Sequence, residues 1–172
     1  EVRVASYVFG KKIGSGGFAE VLECKRKEDG ETNLVAKRLL SRDPEIVKRF
    51  AREVRMQATL SHPNVVPILG KNLTIDPPWA ILPRAQGNMR TMISGQSGEE
   101  LVWMVMDAAT VLLHAHANGV IHRDLKPENI LAFKDKRGKV RMCGADFGLG
   151  RFIDRDSTAI TLVNMGLGTL AY

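Results

Sequence analysis

Long apolar segments are missing from this chain of 172 residues, and no run approaches the roughly 20 apolar residues that a membrane-spanning helix needs. Residues 1–4 do not form the apolar core of a secretion signal. Cysteine is scarce, since Cys24 and Cys143 are the only two. One disulfide is possible, but in a reducing compartment both are expected to stay free thiols. We therefore expect a cytoplasmic protein without a membrane partner.

A stripe of basic residues interleaved with aromatic ones, which is typical of nucleic-acid binding, is also missing. The formal net charge is +6, and 44% of the residues are hydrophobic, as in an ordinary globular protein. The denser basic groups at 25–27 and 134–139 stand beside the turn signals Asp29-Gly30 and Arg137-Gly138. We interpret them as solvated hairpin tips and do not expect a nucleic-acid partner.

The first half of the chain has the residue pattern of β-strands. The predicted strands lie at 8–13, 18–25, 34–40, 65–69 and 79–82. Asp43 as an N-cap followed by Pro44 predicts one helix, which runs to about Leu60 before His62-Pro63-Asn64 ends it. Residues 83–88 are interpreted as a linker.

The second half is predicted to be mostly helical. A long helix is expected over 99–118, with its apolar positions at Leu101, Val105, Ala108, Ala109, Leu112 and Leu113. A short hairpin of 130–133 and 140–143 follows, and 149–172 is predicted to be a long loop. A β-rich half before an α-rich half predicts an α+β fold of two lobes with a cleft at the linker.

A glycine cluster, Gly14-Ser15-Gly16-Gly17, lies between the first two predicted strands. On its own it could be an ordinary hairpin turn. A dinucleotide-binding fold would place a helix after the glycines, and a Walker loop would need Gly-Lys-Ser/Thr, neither of which fits. Glycines in a strand-loop-strand setting let backbone N–H groups approach phosphate oxygens, so a phosphate-binding loop is the alternative.

The strongest signal is the run from His122 to Asn129, His-Arg-Asp-Leu-Lys-Pro-Glu-Asn, followed by Asp146-Phe147-Gly148. It resembles the catalytic and magnesium-binding loops of eukaryotic-type serine/threonine protein kinases. The resemblance implies ATP and Mg²⁺ as cofactors. It also implies catalytic roles for Asp124 and Lys126 and metal-binding roles for Asn129 and Asp146, with His122 and Phe147 packing internally.

The same resemblance assigns the nucleotide site. The loop Ile13, Gly14, Ser15, Gly16 and Gly17 would cover the phosphates, although Ala19 replaces the third glycine of the usual motif. Lys37, in Val35-Ala36-Lys37, would bind phosphate and pair with Glu53, which lies on a largely apolar helix face. The alternatives are a solvent-facing lysine and an exposed glutamate at the edge of that face.

Around adenine the resemblance implies an apolar pocket and backbone contacts at the linker. Val21, Ala36 and Leu131 would form the walls, Leu82 would be the gatekeeper, and Arg84 and Ala85 would offer backbone groups. Pro83 replaces the usual acidic residue and has no N–H to donate. Gln57 is a second departure, since this position is usually aliphatic in the family; a polar side chain there weakens the active arrangement or needs its own hydrogen bond.

Lys126 and the segment Gly168-Thr169 favour the serine/threonine class over the tyrosine class. Arg123 beside Asp124 is typical of kinases that are switched by phosphorylation, so an upstream kinase acting on Ser157, Thr158 or Thr161 is a possible partner. The alternative is that these three are ordinary loop hydroxyls.

We expect residues 1–85 to form the N-lobe and 86–172 part of the C-lobe. The resemblance ends inside the activation segment, before the expected Ala-Pro-Glu, so the chain is interpreted as part of a longer kinase. The predicted activity is transfer of the γ-phosphate of ATP to protein serine or threonine, with weak or no activity for the 172 residues alone. The alternatives are a nucleotide-binding pseudokinase or scaffold and a small-molecule phosphotransferase.

Overall fold

The computed structural model describes residues 6–134 and 138–147, together with the backbone of residues 151 and 152. A five-stranded antiparallel sheet occupies the N-terminal half, in the order β1-β2-β3-β5-β4. Its strands are β1 (Tyr7–Gly16), β2 (Ala19–Arg26), β3 (Leu34–Leu39), β4 (Gly70–Asn72) and β5 (Trp79–Pro83). Four of the five predicted strands are therefore confirmed with shifted ends.

The predicted strand at 65–69 is wrong. Val65 makes only an isolated bridge to Gly144, and the regular strand β4 begins at Gly70. Pro67 lies in the middle of this segment and has no N–H, so a continuous ladder cannot form through it.

Helix α1 (Pro44–Thr59) begins and ends where the sequence predicts. The Asp43 carboxylate accepts hydrogen bonds from the backbone N–H groups of Glu45 and Ile46, which are otherwise without partners in the first turn. The helix packs Phe50 and Val54 against one face of the sheet, together with Leu39 and Ala80. This packing fixes the helix face that carries Glu53 beside β3.

The C-terminal half combines helices with two small sheets. Its elements are β6 (Gly87–Asn88), α2 (Met89–Met92), α3 (Gly98–Ala117), β7 (Val120–Ile121), a 3-10 turn (Pro127–Asn129), β8 (Ile130–Lys134), β9 (Val140–Gly144) and β10 (Arg151–Phe152). Strands β6, β8 and β9 form one sheet, and β10 pairs with β7. The predicted hairpin is confirmed, whereas β10 lies in a segment that was predicted to be a loop.

The apolar positions predicted on α3 do not all share one buried face, although Leu101 and Ala108 pack against the cluster around Met104. Met104, Val111 and Ala115 are buried, while Val105 is exposed and Leu113 is 70% exposed. Apolar residues surround much of this helix, so spacing alone does not select a face. The position of Gly144 on β9 determines which face of α3 is buried, because a Cβ on Gly144 would lie 2.4 Å from the Val111 side chain. Since glycine has no side chain, α3 can pack closely against β9 with the face that carries Val111.

One apolar cluster joins the two halves. It contains Met56, Leu60, Val65, Val111, Ala115, Val120 and Phe147. The fold is thus the expected α+β arrangement, a β-rich part with one long helix joined to an α-rich part; the boundary at residue 85 stays a prediction. Both cysteines are free thiols, as predicted. Among the described residues, none of the helices combines the length and apolar character needed to cross a bilayer.

Candidate active site

Three charged side chains from distant parts of the chain meet at the end of β3. The Lys37 Nζ atom lies 2.6 Å from Glu53 Oε1 on α1 and 2.6 Å from Asp146 Oδ1 after β9. The strand holds the ammonium group in place, and the packed helix supplies its first partner. Lys37 is therefore held by two carboxylates, one on helix α1 and one in the segment after β9.

The electrostatics of this trio follow from burial and pairing. Burial alone opposes charge on Lys37, but the charges of Asp146 and Glu53 outweigh it and raise the pKa of the ammonium group. Burial likewise opposes ionisation of Asp146, yet Lys37 lowers the pKa of that carboxyl overall. Burial raises the pKa of Glu53, with the negative charge of Asp146 acting in the same direction. Lys37 thus stabilises the negative charge of Asp146 beside the cavity.

A second group of polar residues lies in the loop between β7 and β8. Lys126 Nζ is 3.0 Å from Asp124 Oδ2. Asn129 Nδ2 donates to the backbone oxygen of Asp124 at 2.8 Å and to Asp124 Oδ2 at 3.1 Å. The Asn129 amide group therefore orients the Asp124 carboxylate and leaves its own Oδ1 as the atom that can accept or bind a cation.

His122 connects this loop to the segment that carries Asp146. Its Nδ1 accepts the backbone N–H of Asp124 at 3.4 Å, so the proton belongs on Nε2, which donates to Ala145 O at 3.0 Å. Burial lowers the pKa of His122, which favours this neutral form. Its ring lies 4.5 Å from that of Phe147, the internal packing that the sequence predicts.

Two residues next to these contacts have left-handed backbone conformations. The φ angles are 64° at Arg123 and 60° at Asp146, in a region of backbone conformation that residues other than glycine rarely adopt. Such conformations cost free energy and persist where surrounding contacts enforce them, commonly at functional sites. Here the bonds of His122 hold both segments.

A cavity of about 700 Å³ joins the two groups. The sequence-predicted residues that line it are Gly14, Ser15, Gly16, Gly17, Val21, Lys37, Glu53, Asp124, Lys126, Asn129 and Asp146. A Cβ placed on Gly16 or Gly17 would meet no atom of the described residues within 4 Å. The φ angle of 28° at Gly17 accounts for that glycine, whereas neither packing nor a positive φ accounts for Gly16, and bare backbone beside a cavity suits a bound phosphate.

The apolar end of the cleft requires one correction. Ala36 is fully buried on the opposite face of the sheet from Lys37, in a cluster with Leu22, Trp79 and Ile81. Adjacent residues of a strand point to opposite faces, so the prediction that Ala36 is a wall of the nucleotide pocket is wrong. Val35 shares the face of Lys37 and pairs with Leu82, so it takes that place.

The roles of Leu82 as gatekeeper and Leu131 as a pocket wall stay predictions. Both pack against the cluster of Val66, Cys143 and Ala145. Burial raises the pKa of the Cys143 thiol to about 11. Ile13 lies on β1 and is exposed. Neither leucine lines the 700 Å³ cavity, which belongs to the phosphate end of the cleft.

The linker offers fewer backbone groups than predicted. The Arg84 N–H already donates to Asn33 O at 2.9 Å, and Pro83 has no N–H. This corrects Arg84 as a donor to a ligand. Within the described part of the chain, no hydrogen bond occupies the N–H of Ala85, which remains the candidate donor.

Sequence reasoning missed several side chains that line the cavity. Arg49 precedes Glu53 by one helical turn and shares its face, a spacing that could have indicated it. Glu128 also lines the cavity and pairs with Arg90 of α2, a contact that no local pattern indicates. Leu39, Ile46, Phe50 and Asn88 line it as well, and so do Phe18 and Ala19 beside the predicted glycine loop. Ser157, Thr158, Thr161 and Thr169 lie outside the described residues.

The chain matches the protein kinase domain family over residues 7–172. It is 29% identical over 176 residues to the serine/threonine-protein kinase PknF of Mycobacterium tuberculosis, covering 98% of this chain and 37% of that protein. It is 32% identical over 176 residues to the serine/threonine-protein kinase PknB of Mycobacterium leprae, covering 96% of this chain and 28% of the relative. A leaf rust disease-resistance locus receptor-like protein kinase of Arabidopsis thaliana is 30% identical over 175 residues, with 96% and 25% covered. The chain thus spans between 25% and 37% of the length of these three relatives.

Proposed function

Because the chain belongs to the protein kinase family, we propose that the protein carrying it transfers the γ-phosphate of ATP to serine or threonine hydroxyls of protein substrates. The similarity to bacterial serine/threonine-protein kinases supports this acceptor class. The observation that carries the proposal is the convergence of Lys37, Glu53, Asp146 and the Asp124–Asn129 pair around one cavity. Positioning and charge stabilisation are the main requirements of this reaction.

Each group has a role that its contacts support. The backbone of Gly14 to Gly17 covers the phosphates, and Lys37 stabilises their negative charge. Glu53 holds Lys37 on the strand so that the ammonium group faces the cavity. Asp124 orients the acceptor hydroxyl and takes its proton, while Lys126, 3.0 Å from that carboxylate, stabilises charge on the transferred group.

Asn129 and Asp146 fit a magnesium site. Both offer oxygen atoms, which Mg²⁺ prefers, and one or two protein ligands suffice when substrate phosphates complete the coordination. Asn129 Oδ1 is left available by the two bonds of Nδ2, and Asp146 lines the same cavity with its carboxylate paired to Lys37. Bound Mg²⁺ would neutralise phosphate charge and help to align the leaving group.

The test is a transfer assay on the full-length protein with ATP radiolabelled at the γ-phosphate, Mg²⁺ and a panel of acceptor proteins. We expect label on serine or threonine, and a loss of about 10²–10⁴-fold in kcat for Asp124→Asn, because the general base is removed. Asp29→Asn is the matched control, since Asp29 lies in an exposed turn and pairs only with its neighbour Arg26 among the described ion pairs. It should transfer phosphate at the wild-type rate.

Three results would contradict the proposal. Equal incorporation by the wild type and Asp124→Asn would remove Asp124 from the reaction. Nucleotide binding without transfer would favour the pseudokinase or scaffold alternative, which Pro83 and the occupied N–H of Arg84 make worth testing. Label on metabolites but on no protein would favour a small-molecule phosphotransferase.

The proposal also covers the activity of the isolated 172 residues, the compartment of the protein and its upstream regulator. Large apolar side chains stand exposed on α3, among them Trp103 and Leu113. Patches of this kind are uncommon on isolated soluble domains, so the segment alone is expected to transfer phosphate weakly or not at all. The two free thiols support a reducing compartment such as the cytoplasm. An upstream kinase acting on Ser157, Thr158 or Thr161 stays part of the proposal.

A further inference from the structure

Gln57 is a buried polar residue one helical turn after Glu53. It is 3% exposed, and its Nε2 donates a hydrogen bond of 2.7 Å to the backbone oxygen of Val66. Because a carbonyl oxygen can only accept, this contact fixes which end of the amide faces Val66. This bond and the bond between Glu53 and Lys37 are two side-chain hydrogen bonds that join α1 to other elements.

The segment that receives this bond is itself attached to β9. Val66 N–H donates to Gly144 O at 2.9 Å, and Gly144 N–H donates to Asn64 O at 2.8 Å. The buried Asn64 side chain adds a bond of 2.9 Å to Met142 O. Residues 64–66 therefore move with β9, and β9 leads through Ala145 directly to Asp146.

Gln57 thus closes a loop of contacts around Lys37. On one side, α1 carries Glu53 to Lys37; on the other, β9 carries Asp146 to Lys37, each at 2.6 Å. The amide of Gln57 connects the helix to the segment that is bonded to β9. We propose that Gln57 is a positioning residue, which sets the separation between Glu53 and Asp146 and thereby holds Lys37 against the nucleotide phosphates. This inference rests on the proposed function.

Replacement of Gln57 by an apolar side chain shows what its hydrogen bond contributes. An apolar side chain of the same length could fill the same space with little loss of helix propensity. It would, however, leave the buried oxygen of Val66 without a donor, which has a cost that an apolar neighbour cannot offset. The structure would relieve this cost by moving α1 away from residues 64–66, and Glu53 would move with it.

The first test compares Gln57→Met with wild type in the full-length protein. Methionine keeps the length and flexibility of the side chain and removes the donor. We expect the KM for ATP to rise about tenfold, with the KM for the acceptor protein unchanged, because the displaced groups face the nucleotide. A purely structural loss would lower the folded fraction and hence the apparent kcat, at unchanged KM for ATP. Thr59→Val is the matched control on the same helix, since Thr59 bonds only within the helix, to Met56 O.

The second test restores a donor that depends on pH. A protonated Gln57→Glu side chain can donate to Val66 O, whereas its ionised form faces the carbonyl without a proton and repels it. Burial raises the pKa of such a carboxyl and keeps the donor present at lower pH. We expect the ratio of the KM for ATP in this variant to that of wild type to be near one at pH 6 and to rise with pH.

The outcomes separate this inference from the proposed function. Loss of transfer in Asp124→Asn, with an unchanged KM for ATP in both Gln57 variants at every pH, would leave the kinase function intact and overturn the role of Gln57. A Gln57→Glu ratio that does not vary with pH would overturn it even if Gln57→Met fails to fold. No transfer by wild type would overturn the proposed function, and binding of ATP measured directly in the same variants would then decide on Gln57.

Discussion

The two ends of the cleft differ in how they affect charge: the Asp146 side chain at the phosphate end is 49% exposed, whereas Cys143 at the apolar end is 5% exposed. At the phosphate end, Lys37, Glu53 and Asp146 are close enough to stabilise one another, and the pKa of Asp146 is lowered. At the apolar end, Cys143 packs with Val66 and Ala145, and Leu131 packs against them; burial raises its pKa to about 11, and the positive charge of Arg141 offsets this only in part. Burial disfavours charge at both ends, and only pairing reverses the outcome.

The comparison also separates side-chain roles from backbone roles. The phosphate end depends on the chemical identity of a few side chains that the chain brings together. At the apolar end, next to the linker, binding depends on which backbone N–H groups have no hydrogen-bond acceptor in the protein; the N–H of Arg84 already donates to Asn33. Substitutions should therefore act strongly at the first end and weakly at the second.

Among the substitutions that compare the two ends of the cleft, Lys37→Met has the largest expected effect. Removal of the ammonium group withdraws a fixed charge from the phosphates, and kcat/KM should fall about 10²–10³-fold. Steady-state kinetics with ATP as the varied substrate measure it. Lys71→Met, at an exposed position of β4, is the control and should match wild type. Similar losses in the two variants would show that the phosphate end does not depend on its paired lysine.

Cys143 should react with alkylating reagents about a hundredfold more slowly than an ordinary thiol near pH 7.5, because the thiolate is the reactive form and its pKa is raised to about 11. Its S–H donates to Pro63 O, which further favours the protonated form. The rate should rise as the pH approaches 11, as followed by mass spectrometry of the native protein. Fast labelling at pH 7.5 would mean that the surroundings of the Cys143 sulfur do not disfavour the thiolate.

Ala36→Leu should affect stability and spare nucleotide binding. The larger side chain overpacks the buried cluster of Leu22, Trp79 and Ile81, and the free energy of unfolding should fall by about 1–3 kcal/mol. The KM for ATP of the folded protein should stay within about twofold of wild type. Denaturant unfolding and kinetics together test this. A higher KM for ATP in Ala36→Leu, at an unchanged free energy of unfolding, would show that Ala36 contacts the nucleotide.

Arg84→Ala should have the smallest effect. Its side chain is exposed, and its N–H is bonded to Asn33 whatever the side chain is. We expect a change of less than about twofold in the KM for ATP, within the range of ordinary surface substitutions. A tenfold change would show that the linker end, like the phosphate end, depends on a charged side chain.

Local patterns predicted much of this molecule. Asp43-Pro44 located the start of α1, because capping depends on neighbouring backbone groups alone. The pairing of Lys37 with Glu53 followed from the family motif and the helix face, and the structure confirms it. The prediction that Ala36 faces the nucleotide pocket was wrong, although the alternation of side chains along a strand places Ala36 on the opposite face from Lys37.

Other features could not be read from the sequence. The buried face of α3 depends on the approach to Gly144, which is distant in the chain. The family resemblance marked Gln57 as unusual, with either a weakened active arrangement or its own hydrogen bond as the consequence, but it did not indicate that Val66 would be the acceptor. Such contacts depend on packing between elements, which helical or strand periodicity does not encode.

The amino-acid sequence by itself determined which reactive groups this protein has and which short segments carry them, because motifs, caps and turns depend on near neighbours. Only the tertiary structure decided that Asp146, 109 residues away along the chain, would meet Lys37, and which side of each element would face the cleft. The physical reason is that these choices are made by close packing and by the pairing of buried charges, and both require the whole fold.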